Sequence, residues 1–209
     1  MTLGGRWFNS NCKQDINVRS IIRMNTKSRE LRFLTTTALF AALLCVTAPF
    51  SISIGPIPIS LATFTVYVAA LVCGWKGGCL AVAAYLVLGA VGLPVFSGFM
   101  GGFERLVGPT GGYLIGYIPC AITVGLFSDM AKKHRVLWDI VGMILGTVLL
   151  YTLGTAWFMF VSGNTLKDSL AACVLPFIAG DSIKIAAATL VAEVVRSRVI
   201  PAVTKHKSY

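Results

Sequence analysis

The stretch Gly92-Leu93-Pro94-Val95-Phe96-Ser97-Gly98-Phe99-Met100-Gly101-Gly102-Phe103-Glu104-Arg105-Leu106-Val107-Gly108-Pro109-Thr110-Gly111-Gly112 separates two long apolar segments. Glycine and proline at this density exclude one continuous helix, yet most residues between them are apolar or aromatic. Non-helical backbone beside membrane spans persists only where protein buries it or where it lines a cavity. The stretch is therefore either a tight surface linker or, because it is long and apolar, a binding loop.

The composition indicates an integral membrane protein. Of 209 residues, 56% are hydrophobic and 12% are charged, and the mean hydropathy is +0.79. A soluble domain has about 25% charged residues. The net charge of +10 does not predict a nucleic-acid partner, because the basic residues lie in tails and in short loops between apolar segments. That distribution is typical of a protein held in a lipid membrane.

Six apolar segments are each close to the ~20 residues that cross a bilayer, so we predict an all-α bundle of six transmembrane helices. The predicted spans are Phe33–Ile54, Ile59–Cys73, Gly78–Leu93, Gly112–Phe127, Leu137–Val161 and Pro176–Val195. The membrane domain covers 31–199, between a basic N-terminal tail (1–30) and a basic C-terminal tail (200–209). Residues before Met24 either come from an upstream start codon or belong to a genuine tail.

The basic residues also predict the orientation of the bundle. All of the 18 Lys and Arg residues except Arg105, Lys167 and Lys184 fall on the face that holds the N-terminus. By the positive-inside rule both termini are cytoplasmic. The opening stretch then faces outward, together with the connections 51–60 and 162–175. Three outer loops can cover one outward-facing pocket.

Two ionisable residues interrupt the sixth apolar segment. Asp181 and Lys184 are three residues apart, on one face of the predicted helix and in its outer half. Charged residues inside a membrane helix are costly and normally face the protein interior or a cavity. They are either a structural ion pair or a carboxylate acceptor and an ammonium donor for a polar ligand with N–H and C=O groups.

Catalytic and metal-binding motifs are absent from the sequence. The six cysteines form no CxxC pair, both histidines lie in basic stretches, and there is no GxxxxGK[ST], HExxH or GxSxG motif. An intramembrane aspartyl enzyme would need a second carboxylate beside Asp181. We therefore expect no enzyme, no metal and no cofactor.

Two weaker patterns complete the candidate residues. Phe96 and Tyr113, with Phe99, Phe103 and Tyr117, are either the lining of an apolar cavity or ordinary core and interface aromatics. Ala38 and Ala42 in the first span have the small-xxx-small spacing that lets a partner helix approach closely, although such pairs also arise by chance.

The sequence resembles the BioY family, which comprises biotin-specific S components of energy-coupling factor (ECF) transporters. The resemblance rests on Gly92-Leu93-Pro94-Val95-Phe96, Gly101-Gly102, Gly108-Pro109-Thr110-Gly111-Gly112-Tyr113-Leu114 and Gly180-Asp181-Ser182-Ile183-Lys184. It covers roughly Leu31 to Val199. One departure is that the family's Gln-Thr pair after the first outer loop stands here as Ala62-Thr63.

The resemblance implies capture of biotin from outside a bacterial cytoplasmic membrane. It implies that Asp181 and Lys184 bind biotin, that outer loops cover it, and that Ala38 and Ala42 contact a transmembrane T component. Two ATPase subunits would supply the energy. The full set of expected substrate-binding residues is Asp181, Lys184, Thr110, Gly111, Tyr113, Phe96 and Arg105. The alternative is a solitary secondary transporter of another small molecule.

Overall fold

A computed structural model describes residues 30–52, 58–131 and 134–199. The predicted tails lie outside the described residues, except for Glu30, where the first helix begins. The chain divides into two units after Thr36, and the described part of the first unit, residues 30–36, is the opening of that helix. The features below belong to the second unit.

The described residues form seven helices and one small β-hairpin, whereas the sequence predicted six spans. Two helices, α3 (Phe103–Val107) and α6 (Leu166–Cys173), are short and lie in connections, and two of the predicted spans overlap the single element α2 (Ala62–Ala90). The helices are α1 (Glu30–Thr47), α2 (Ala62–Ala90), α3 (Phe103–Val107), α4 (Gly111–Met130), α5 (Arg135–Ser162), α6 (Leu166–Cys173) and α7 (Leu175–Val199).

The element α2 reverses its direction at Gly74. This glycine has φ 71° and ψ −179°, which is outside the helical region and is a conformation that residues with a Cβ rarely adopt. A Cβ atom at Gly78 would lie 2.8 Å from the Cα of Ala70, whereas eight residues of straight helix span about 12 Å. The halves 62–73 and 75–90 therefore pack against each other, near the second and third predicted spans.

Among the described residues, α1, α4 and α5 are long and apolar enough to cross a membrane, and α2 reaches that length only when its two halves are counted together. The helix α7 has 25 residues and carries Asp181 and Lys184. The protein is thus mostly helical and suited to a membrane, while the count of six spans and the cytoplasmic termini stay predictions.

The connections that are predicted to face outward contain structure that hydrophobicity did not predict. The first predicted span was too long, because α1 ends at Thr47 and the chain forms strand β1 (Ser51–Ile52), which pairs antiparallel with β2 (Ile59–Ser60). The glycine-rich stretch is not one continuous helix, as predicted: it contains the short α3, and its last two residues, Gly111 and Gly112, begin α4. It contains a turn at Gly98 and Phe99 with φ values of 74° and 58°. Phe99 is thus a non-glycine residue in a strained conformation.

A polar cluster joins the helices at the end opposite to Asp181. The sequence predicts that Arg196 follows the last span. In the structure, α7 continues past Arg196, and Arg196 is only 8% exposed. Its guanidinium donates to Asp139 Oδ2 at 2.6 Å, to Ser128 Oγ at 2.5 Å and to the carbonyl of Leu71. That carbonyl lacks a helical partner because the helix breaks at Gly74. Arg196 therefore connects α7 with α2, α4 and α5.

Candidate functional site

A small polar cavity lies between α2, α4, α5 and α7. Its volume is about 30 Å³, and both residues of the predicted charged pair line it. The complete lining is Pro58, Ser60, Thr63, Tyr113, Tyr117, Leu150, Tyr151, Phe177, Asp181 and Lys184. Phenol, hydroxyl, carboxylate and ammonium groups thus converge at one point between the helices, apart from the Arg196 cluster.

Asp181 is the acceptor at the centre of this cavity. It is 3% exposed, and each of its carboxylate oxygens accepts one hydrogen bond, from Lys184 Nζ to Oδ1 at 2.9 Å and from the Tyr151 hydroxyl to Oδ2 at 2.6 Å. A carboxylate has about four acceptor sites. Asp181 therefore keeps capacity for two further N–H donors.

Lys184 connects the last helix with the start of α2. Its ammonium donates to the Ser60 carbonyl oxygen at 2.8 Å, to Thr63 Oγ1 at 2.9 Å and to Asp181 Oδ1 at 2.9 Å. The predicted i,i+3 pairing is thus a direct ion pair. A buried ion pair is stable only when the remaining polar atoms are also bonded, and here strand β2 (Ser60) and the helices α2 (Thr63) and α5 (Tyr151) supply the partners.

Tyr113 lies at the cavity, as the sequence suggested. A Cβ atom at Gly154 would lie 2.4 Å from the Tyr113 ring, so the glycine allows the ring to lie flat against α5. The Tyr113 hydroxyl is hydrogen-bonded to Thr155 Oγ1 at 3.0 Å. Tyr117, one turn further along α4, also lines the cavity.

Thr110 and Gly111 are not among the residues that line this cavity. Thr110 precedes α4, and the Gly111 N–H already donates to the Gly108 carbonyl oxygen at 2.9 Å. A Cβ atom at Gly111 would lie 1.8 Å from the Leu106 carbonyl oxygen, and Trp157 Nε1 donates to the Gly108 oxygen at 3.0 Å. The motif allows α3, α4 and α5 to pack closely.

Phe96 and Arg105 also lie away from the cavity lining. Phe96 is 2% exposed and its ring contacts the Tyr85 ring edge-to-face at 5.5 Å, so it belongs to the core. Arg105 is half-buried in α3. No carboxylate within salt-bridge distance of Arg105 occurs in the described part of the chain.

Ala38 and Ala42 lie on the outer surface of the bundle. Both are exposed, whereas Phe40, Ala41 and Leu44 on the other side of α1 are buried. The small-residue face is thus available to another helix, as the predicted docking role requires.

Sequence reasoning missed three polar groups of the cavity. Tyr151, Ser60 and Thr63 bond directly to the charged pair. Tyr151 lies in the longest apolar segment, and Ser60 contributes its backbone oxygen, so neither has a local sequence signal. Thr63 was noted as the residue after the family's missing Gln, but no role was assigned to it.

Comparison with known proteins identifies the family. The BioY family model matches residues 20–201. The "Biotin transporter BioY" of Thermotoga maritima is 41% identical over 162 residues, covering 78% of this chain and 94% of the relative. The "Probable biotin transporter BioY" of Pyrococcus horikoshii is 41% identical over 156 residues, covering 75% of this chain and 91% of the relative.

A solved structure has the same fold. The crystal structure of the S component for biotin from an ECF-type ABC transporter matches with a TM-score of 0.75 and 28% identity, over 82% of this chain and 94% of that one. Both the sequence and the fold therefore match over most of the chain. The chain belongs to the BioY family.

Proposed function

We propose that this chain is the substrate-capture subunit for biotin uptake by an ECF-type transporter. The proposal rests on the largely buried Asp181–Lys184 ion pair, whose polar atoms line one cavity between the helices. Functional residues are the default interpretation of such groups in a membrane helix. The family membership gives the substrate, since the named relatives are biotin transporters.

The chemistry of the cavity suits the ureido ring of biotin. This ring has two N–H donors and one carbonyl acceptor, and Asp181 retains acceptor sites for the N–H groups. Lys184 is the ammonium donor that can meet the carbonyl. Tyr113 and Tyr117 offer aromatic surface to the apolar part of the ring system. In this proposal, Asp181 fixes the orientation of the ureido ring, and Tyr113 and Tyr117 supply apolar contact.

Four further residues of the predicted set do not line the cavity, and of these we propose only Arg105 as a direct contact. Arg105 supplies a cation in the outer stretch for an anionic group of the substrate. Phe96, Thr110 and Gly111 act at most through the packing of that stretch around the site. The predicted binding residues that line the cavity are therefore Asp181, Lys184 and Tyr113, and Tyr117 lies beside them.

We further propose that the subunit works in a bacterial cytoplasmic membrane with a T component and two ATPase subunits. The exposed Ala38 and Ala42 face on α1 supports docking of a transmembrane partner. The chain itself has no nucleotide-binding motif, so the ATPase would be a separate protein.

Native purification from membranes, followed by mass spectrometry, tests this function. Biotin and a set of co-purifying membrane and ATPase subunits are the expected result. A different bound molecule would refute the biotin assignment. Biotin uptake by the chain alone, with no co-purifying subunit, would favour a solitary transporter instead.

A further inference from the structure

A larger apolar pocket adjoins the polar cavity. Its volume is about 490 Å³, and Phe50, Ile52, Leu61 and Phe99 contribute to its lining. The rings of Phe50 and Phe99 meet edge-to-face at 5.5 Å, and Phe99 holds the strained turn of the glycine-rich stretch. The first and second outer connections therefore form this pocket together.

The two cavities share two residues, and these are bonded to each other. Ser60 and Lys184 line both, and Lys184 Nζ donates to the Ser60 carbonyl oxygen at 2.8 Å. This hydrogen bond is therefore the partition between the polar cavity and the apolar pocket.

The polar cavity is too small for a small-molecule ligand in this state. Ligand sites for small molecules usually have about 300–1,000 Å³, so about 490 Å³ is sufficient and about 30 Å³ is not. A ligand that reaches Asp181 must therefore enlarge the polar cavity. The apolar pocket on the other side of the Lys184–Ser60 hydrogen bond already provides such space.

The ammonium of Lys184 has no donor to spare. A lysine ammonium has three N–H groups, and Ser60, Thr63 and Asp181 accept one each. A ligand carbonyl can bind Lys184 only by replacing one of these acceptors. Asp181 is held by its charge and Thr63 by the helix α2, whereas Ser60 ends the two-residue strand β2.

We propose that the Lys184–Ser60 hydrogen bond is an internal plug that the substrate displaces. The substrate carbonyl takes the place of the Ser60 oxygen, the partition opens, and the polar and apolar cavities become one site. The site thus selects a molecule with a hydrogen-bonding head for Asp181 and Lys184 and an apolar remainder for the pocket beside Phe99. The identity of the substrate in this inference rests on the proposed function. The Lys184–Ser60 hydrogen bond that separates the two cavities is independent of it.

Thr63→Val tests the plug, because it leaves Lys184 tied to the start of α2 by the Ser60 bond alone. Thr65→Val is the matched control, since Thr65 lies half a turn further in the same helix and bonds to Thr47 Oγ1 at 2.8 Å. Hydrogen exchange of the amides of residues 60–63 is measured in the full chain without ligand. Biotin association rates are measured by stopped flow.

Loss of a hydrogen bond to a charged group predicts roughly 10-fold faster exchange and roughly 10-fold faster biotin association in Thr63→Val. Thr65→Val should match the wild type in both. The plug proposal would be refuted if the amides of residues 60–63 exchange at the wild-type rate in Thr63→Val. It would also be refuted if Thr65→Val shows the same change as Thr63→Val. A wild-type chain that binds no biotin would refute the proposed function. The ligand-free exchange rates would still show whether the Lys184–Ser60 hydrogen bond holds the two cavities apart.

Discussion

The hydroxyl of Tyr151 donates a 2.6 Å hydrogen bond to Oδ2 of Asp181, on the carboxylate edge that Lys184 leaves open. Tyr151 belongs to α5 and Asp181 to α7, so the bond joins two helices across the cavity. With Lys184 on Oδ1, the plane of the carboxylate is fixed before any ligand arrives. Such preorganisation lowers the ordering that a ligand must impose on binding.

Tyr151→Phe should therefore weaken biotin binding by about 10-fold, because it removes a hydrogen bond to a charged group. Tyr67→Phe is the control, since its hydroxyl bonds to Thr147 Oγ1 at 2.6 Å between α2 and α5 but does not line the cavity. Titration calorimetry of both purified variants gives the affinities. An equal loss in both would mean that Tyr151 acts only through general packing.

The sequence predicted the charged pair because ionisable residues in an apolar segment are a local signal. Asp181 and Lys184 contact each other as their spacing implied. Their partners could not be predicted in the same way. Ser60 is 124 residues from Lys184 along the chain and acts through its backbone, so its role exists only after the helices have packed.

The glycine-rich motif shows a different limit of sequence reasoning. A glycine allows either the approach of a ligand to the backbone or the approach of another segment of the chain. At Gly111 and Gly112 the approaching groups are the Leu106 carbonyl and the Trp157 side chain. Thr110 and Gly111 stay predicted substrate contacts, while in the fold the glycines of this motif position α4 and thereby Tyr113. The pattern alone cannot separate these roles.

Arg196 illustrates the limit of counting charges. The sequence counts it only as a basic residue on the cytoplasmic face, because it follows the last predicted span, yet it bonds to three helices. Arg196→Met should destabilise the protein by about 3–5 kcal/mol, because Asp139 would remain buried without its cation. The double variant Arg196→Met/Asp139→Leu should recover much of the loss. Thermal unfolding in detergent measures both, and an unchanged midpoint in Arg196→Met would show that the cluster contributes little.

A bulky side chain on the small face of α1 should separate binding from transport. Ala42→Trp is expected to abolish uptake but to leave the biotin affinity of the isolated chain unchanged, because Ala42 is exposed and lies outside the cavity. Ile144→Trp on the exposed face of α5 is the control and should support uptake. Loss of both activities in Ala42→Trp would indicate a folding defect rather than a docking surface.

The orientation of the chain can be measured with topology reporters. A reporter fused after Lys207 should be cytoplasmic, and one inserted near Lys167 should be external, because nearly all other basic residues lie on the opposite side from Lys167. Cells carrying each fusion are assayed for reporter activity. The reverse pattern would place the polar cavity on the cytoplasmic side and would exclude capture from outside.

The most direct test compares the same chemical change at the two buried ion pairs. Asp181→Asn keeps the size of the side chain but replaces an acceptor oxygen with a donor, so biotin affinity should fall by roughly 10- to 150-fold. Asp139→Asn makes the same change at the Arg196 pair, away from the cavity. It should lower the ligand-free melting temperature and leave the biotin affinity unchanged.

Calorimetric titration of biotin, paired with ligand-free melting of each variant, gives both quantities. A selective loss of affinity in Asp181→Asn is the result that we predict. Wild-type affinity in Asp181→Asn would contradict the assignment of Asp181 as the substrate acceptor.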